Sequence, residues 1–89
     1  VECEWDDGKA QANLDKHGVS FTEAVTAFAD DAALLIDDPE HSDEEERGTL
    51  IGTSSSGRMV VVCYTVRAEA VRIISAREAS PAERRQYAN

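Results

Sequence analysis

Residues 58–77 constrain the fold more than any other part of this chain. Two runs rich in β-branched residues, 58–67 and 70–77, are separated only by Ala68-Glu69. Such runs favour strands, and so tight a connection pairs them as an antiparallel hairpin. The chain is therefore built around a sheet that the remaining segments must cover. Both strands are almost continuously apolar. In the first, Val60, Val62, Tyr64 and Val66 alternate with Met59, Val61, Cys63, Thr65 and Arg67. In the second, Val71, Ile73, Ser75 and Arg77 point one way, and Arg72, Ile74 and Ala76 the other. Simple alternation predicts one arginine on each face of the last strand and does not say which face meets solvent.

Residues 1–5 read as a short first strand, ended by Asp6-Asp7-Gly8. Asp7 is the expected cap of a helix over residues 9–17, with Gly18 as its left-handed stop. Ser20 and Glu23 have capping-box spacing. They open a second helix whose Phe21, Ala24, Val25 and Phe28 form one apolar stripe. Further strands are predicted over residues 32–36 and 47–53. Ser80-Pro81-Ala82-Glu83 is a second capping box with proline at the first helical position, opening a terminal helix that ends near Tyr87. The order β-α-α-β-β-β-β-α predicts an α+β fold. It has a mostly antiparallel sheet, two N-terminal helices and a short C-terminal helix, with the helices on one face. Residues 1–89 are expected to form a single domain.

Charge is segregated along the chain. All seven arginines lie from Arg47 to Arg85, the two lysines are Lys9 and Lys16, and residues 30–46 hold nine acids and no base. The net charge of -9 resolves into -4 for residues 1–29, -9 for 30–46 and +4 for 47–89. Screening over about 8 Å at physiological salt lets a basic surface act locally on such a chain. A guanidinium fork matches phosphate or carboxylate oxygens in pairs, so the second half is suited to hold an anion. Cleaving an RNA phosphodiester needs a base for the 2′-hydroxyl, cations around the phosphoryl oxygens and an acid for the leaving 5′-oxygen. Candidate cations are Arg47, Arg58, Arg67, Arg72 and Arg77; candidate proton carriers are His17, Tyr64, Tyr87, Glu45 and Glu46. Each arginine competes with a plainer reading as a salt-bridge partner. His17 either suits the helix C-terminus as an imidazolium or packs with Leu14, and the neighbouring Lys16 favours its neutral form.

Other chemistries are poorly represented. His41 sits among carboxylates without EF-hand spacing, so 37–46 reads as a solvated acidic loop. No zinc-type Cys/His pattern, GxSxG motif or glycine-rich phosphate loop occurs, and no cofactor or metal is expected. Cys3 and Cys63, 60 residues apart, are expected to be reduced, strand-borne core residues. The longest apolar stretch, Met59 to Tyr64, falls far short of the ~20 residues that span a bilayer. No signal segment is read at the start, and a cytoplasmic location is expected.

These pieces coincide with a family. Glu4-Trp5-Asp6, Lys9, Asn13 and Lys16-His17-Gly18-Val19-Ser20-Phe21 with Glu23-Ala24 resemble the opening of the BrnT toxins. Glu45-Glu46-Arg47, Ile51-Gly52, Gly57-Arg58 and Tyr64-Thr65 with Arg67 follow the same pattern. So does the closing run Arg72-Ile73-Ile74-Ser75-Ala76-Arg77 with Ala79, Glu83-Arg84 and Tyr87. The resemblance implies a RelE-like ribonuclease of a type II toxin–antitoxin system, metal-independent, that arrests translation. A ribbon-helix-helix antitoxin would neutralise it, and operator DNA would be contacted only through that antitoxin. On this reading Arg67 and Arg77 stabilise the phosphorane, and His17 or Tyr64 handles the 2′-hydroxyl proton. Lys16, Arg47, Arg72 and Tyr87 hold the RNA. Two positions depart from the pattern: Glu78, where relatives often have lysine, and Val66, where a polar residue is common. The rival reading is a non-enzymatic module whose arginines dock an acidic partner, acting as antitoxin partner and co-repressor.

Overall fold

The computed structural model describes residues 2–37 and 46–88. The predicted Glu45 and His41, and most of the acidic loop, lie outside the described residues. In chain order the elements are β1 (Glu2–Glu4), α1 (Asp7–His17), α2 (Phe21–Thr26), a 3-10 turn (Ala27–Ala29), β2 (Leu34–Asp37), β3 (Glu46–Thr53), β4 (Met59–Arg67), β5 (Ala70–Glu78) and α3 (Pro81–Ala88). The strands form one sheet in the order β1-β5-β4-β3-β2, in which only the β1–β5 pair is parallel. The β4–β5 hairpin is present, with Arg67 opposite Ala70 across the two-residue turn. Among the described residues no helix is long and apolar enough to cross a membrane.

Local chemistry sets the helix ends. Asp6, not Asp7, is the N-cap of α1, its carboxylate accepting from Lys9 N at 2.9 Å. Helix α1 therefore begins two residues earlier than expected. Gly18 ends it with φ 71°, and its N–H donates to the Leu14 carbonyl. Ser20 caps α2 as predicted, accepting from Glu23 N at 3.0 Å. Beyond Thr26 the chain tightens into the 3-10 turn, which keeps Phe28 on the apolar stripe. Both halves of the capping box are made at α3: Glu83 N donates to Ser80 Oγ at 3.2 Å, and Ser80 N to Glu83 Oε1 at 2.9 Å.

The core lies between the sheet and α1–α2. Val19, Phe21, Ala24 and Ala27 meet Leu50, Val60, Val62, Val71, Ile73 and Ala76, all buried. Each large side chain buried there is worth about 1.5–3 kcal/mol. Trp5 adds an edge-on contact to Phe21, with centroids 6.0 Å apart. Asn13 is buried and grips both polar groups of Ala76, while its Nδ2 also donates to the Val19 carbonyl. This side chain fixes α1 and the α1–α2 connection onto β5. Val66 packs against the same core, which accounts for an apolar residue there.

The helices are not all on one face, contrary to expectation. Arg77 pairs with Val61 across the strands, so both point away from the α1–α2 side, yet Arg77 is bound to Glu83 of α3. Val61 and Ile51, buried on that second face, mark the end that α3 covers. Among the described residues, the remainder of the second face carries no helix. Cys3 and Cys63 are strand-borne and unbridged, but each is only half-buried. Burial pushes the Cys3 thiol up.

Candidate functional site

A bulge in the hairpin decides which arginines share a surface. The register runs Val62↔Ala76 and Cys63↔Ser75, then Tyr64↔Ile73, so Ile74 is an extra residue in β5. One added residue reverses the alternation of side chains. Val71, Ile73 and Ala76 therefore face the core, while Arg72, Ser75 and Arg77 all face the second side. The expected division of Arg72 and Arg77 between two faces is corrected by this bulge.

On the second face, Arg47 stands opposite Thr65, Thr65 opposite Arg72 and Arg72 opposite Glu4. These four residues form one row across β3, β4, β5 and β1. Arg67 lies two residues beyond Thr65 on the same face. With strands about 4.8 Å apart, Arg47 and Arg72 flank Thr65 across roughly 10 Å of sheet. Thr65 is only 1% exposed, and its Oγ1 has no hydrogen-bond partner among the described residues. Leaving a buried hydroxyl unpaired costs about 1–3 kcal/mol. The Arg72–Glu4 pair is loose, at 3.8 Å between half-exposed side chains. Such pairs contribute less than about 1 kcal/mol, so Arg72 can exchange Glu4 for another anion. Arg47 and Arg67 are exposed, and neither is without an interaction partner.

Arg77 is held differently. Its Nη1 and Nη2 donate to Glu83 Oε1 and Oε2, each at 2.7 Å. The Arg77 hydrogen bonds, followed by those from Ser80, hold the Glu83 carboxyl down to about 2 against partial desolvation. The guanidinium assigned above to the phosphorane thus anchors α3 here. Tyr87 tethers the other end of α3, its hydroxyl donating to Asp30 Oδ2 at 2.7 Å. Asp30 also accepts from Thr53 N and Ala32 N. These bonds, Thr53 first, keep its carboxyl below the usual range.

Arg58 is closed on several sides. Nε and Nη2 donate to Glu23 at 2.8 and 2.6 Å, Nη2 also to the Gly18 carbonyl at 2.7 Å, and Nη1 to Glu78 at 3.0 Å. Ser54 and Ser56 hydroxyls donate to the same Glu23, at 2.7 and 2.6 Å. The Arg58 hydrogen bonds are the main reason that the Glu23 carboxyl is held down to about 2. Glu23 consequently turns to Arg58 and does not close its capping box on Ser20. Glu78, the departure from the family pattern, serves Arg58 as a second acid.

His17, Lys16 and Tyr64 belong to the first face. His17 and Lys16 are exposed in the last turn of α1. The Tyr64 ring packs edge-on against Phe28, centroids 5.4 Å apart. It lies over Gly48, where a Cβ would come within 2.6 Å of the tyrosine hydroxyl. Glu46, opposite Val66, also points to that side. The sequence-named residues therefore divide. Arg47, Arg67, Arg72 and Arg77 share the second face, Tyr87 borders it on α3, and His17, Lys16 and Tyr64 stand across the sheet. Sequence reasoning did not single out Thr65 or Glu4 as functional. Their signal is strand register, set by the bulge and by parallel β1–β5 pairing, and neither leaves a trace in the residue pattern. A shallow groove lined by Trp5, Ala10, Leu14 and Phe21 lies on the helix side and holds no arginine.

Comparison with known proteins supplies the family. A family model described as ribonuclease toxin, BrnT, of type II toxin–antitoxin system matches residues 5–83. Among solved structures, the crystal structure of the Brucella abortus ribonuclease toxin BrnT superposes with a TM-score of 0.66 at 28% identity, covering 90% of this chain and 99% of that one. No curated protein sequence matches the chain. A match over most of the length, joined to the same arrangement of elements, makes this chain a member of the BrnT family of ribonuclease toxins of type II toxin–antitoxin systems.

Proposed function

We propose that this toxin cleaves RNA on the second face of its sheet, with Arg47, Arg67 and Arg72 gathering the scissile phosphate. The observation that carries the reading is the cross-strand row Arg47–Thr65–Arg72, with Arg67 beside it. Convergent guanidinium groups match a phosphodiester oxygen by oxygen and stabilise the charge that develops in the pentacoordinate transition state. Arg72 exchanges its loose contact with Glu4 for the phosphate. Glu4, released within the same row, is a carboxylate suited to take the 2′-hydroxyl proton; Tyr87 is held against Thr53 and Asp30 at the other end of β3, away from the row. His17 and Tyr64 stand across the sheet from these arginines, which argues against their sharing one transition state with them. The chain acts as one domain over residues 1–89. Its antitoxin is a ribbon-helix-helix protein, and operator DNA is reached only through that partner.

The test uses the purified chain, freed of antitoxin, with a single-stranded RNA oligonucleotide in EDTA. Arg47→Gln and Arg72→Gln each lower the cleavage rate about 10²-fold or more without a change in melting temperature. Full cleavage by both variants would sink the assignment.

A further inference from the structure

Thr65 is at odds with its own strand. Val60, Val61, Val62 and Val66 fill the neighbouring positions of β4, and a valine at 65 would match threonine in shape. Instead a hydroxyl is buried there, and among the described residues only its Oγ1 is a buried side-chain polar atom without a hydrogen-bond partner. An orphan of this kind is rare in folded proteins and calls for an explanation. Its surroundings supply one. Arg47 and Arg72 are its direct cross-strand neighbours, and Arg67 follows on the same face. The three guanidinium groups can only donate hydrogen bonds, and the hydroxyl donates as well. A buried O–H with no partner, set in a row of arginines, is a place where an oxyanion can accept from the hydroxyl and from guanidinium groups together.

We infer that Thr65 is a phosphate-binding residue, its hydroxyl donating to a non-bridging oxygen of the RNA phosphate gathered by Arg47, Arg67 and Arg72. The inference rests on the proposed use of this face for RNA. In the free protein Thr65 is buried between its cross-strand neighbours Arg47 and Arg72 in the sheet. A phosphate that draws their heads to itself meets the hydroxyl below them, and the 3.8 Å contact of Arg72 with Glu4 is slack enough to yield. The unpaired hydroxyl is thus a cost carried by the free fold and recovered when the anion binds.

The experiment compares Thr65→Val, Thr65→Ser and Arg72→Gln in the full chain, free of antitoxin, on a defined single-stranded RNA. Thr65→Val keeps the shape and removes the donor. Its melting temperature is expected to stay level or rise, while kcat/KM falls about 10²-fold, mostly in kcat. Thr65→Ser restores a hydroxyl and recovers about 10-fold of that loss. A lower melting temperature for Thr65→Val would show that the hydroxyl is satisfied within the fold and overturn the inference. Parental cleavage by Thr65→Val beside an inactive Arg72→Gln also overturns it, leaving the arginine site standing. Parental cleavage by both variants removes the site and the inference together.

Discussion

Arg58 and Arg77 each have two guanidinium nitrogens closed by one carboxylate, whereas Arg72 meets Glu4 only at 3.8 Å. Charge-assisted bonds of the first kind contribute about 1.5–3 kcal/mol each; the second is worth less than about 1 kcal/mol. The same residue type is therefore structural at two positions and exchangeable at a third. Arg77→Ala breaks the fork to Glu83, so it is expected to destabilise the fold by about 1–3 kcal/mol and to loosen α3. Glu83→Gln should do the same, and thermal melts of the two variants check this. If Arg77→Ala melts like the parent yet no longer cleaves RNA, Arg77 acts on the substrate as the sequence first suggested. What the sequence made legible was the gathering of all arginines after residue 46. Which acid each would meet was not legible, because Glu23 lies 35 residues from Arg58 and is brought to it only by the docking of α2 on the sheet.

The hairpin β4–β5 carries the arginine face, and its shape depends on two local irregularities. At Ile74 the bulge turns Arg72 and Arg77 to one side. At the turn, Ala68 adopts φ 54°, a left-handed conformation that a Cβ disfavours by roughly 1–2 kcal/mol. Glycine relieves that strain but frees the unfolded chain, so only part of the gain survives. Ala68→Gly is thus predicted to raise stability by up to about 1 kcal/mol, read as a higher urea midpoint with unchanged m-value. A lower midpoint would mean that the alanine is not strained. Sequence revealed the hairpin because β-branched runs and a two-residue gap are local signals. It concealed the bulge because Arg72-Ile73-Ile74-Ser75 is compatible with either alternation. Only the helices pressing on Val71, Ile73 and Ala76 choose between them. Placement of α3 was hidden for the same reason: its capping box was plain, but the face it covers follows from Arg77 and Tyr87 finding Glu83 and Asp30.

For the molecule as a whole, two electrostatic effects oppose each other on acidification. The chain carries a net charge of -9, and lowering the pH relieves this self-repulsion. The tertiary fold, however, is tied by Glu23 between α2 and Arg58 and by Glu83 between α3 and Arg77, both held down to about 2 from 4.5. A carboxyl with a depressed folded-state pKa adds stability that is complete above its unfolded value, near 4.5. That stability is lost as the pH falls towards 2, because the unfolded chain takes up protons first. From neutrality to about pH 5 only the repulsion changes, so stability should hold level or rise. Below about pH 4.5 the two ties weaken together and stability should fall steeply. Urea midpoints measured from pH 7 to pH 2.5 test this, with Glu23→Gln as the control. That variant should start lower at pH 7 and show a shallower acid limb, since it has no Glu23 carboxylate left to protonate. A parent midpoint at pH 3 equal to that at pH 7 would mean that these ion pairs do not tie the helices to the sheet.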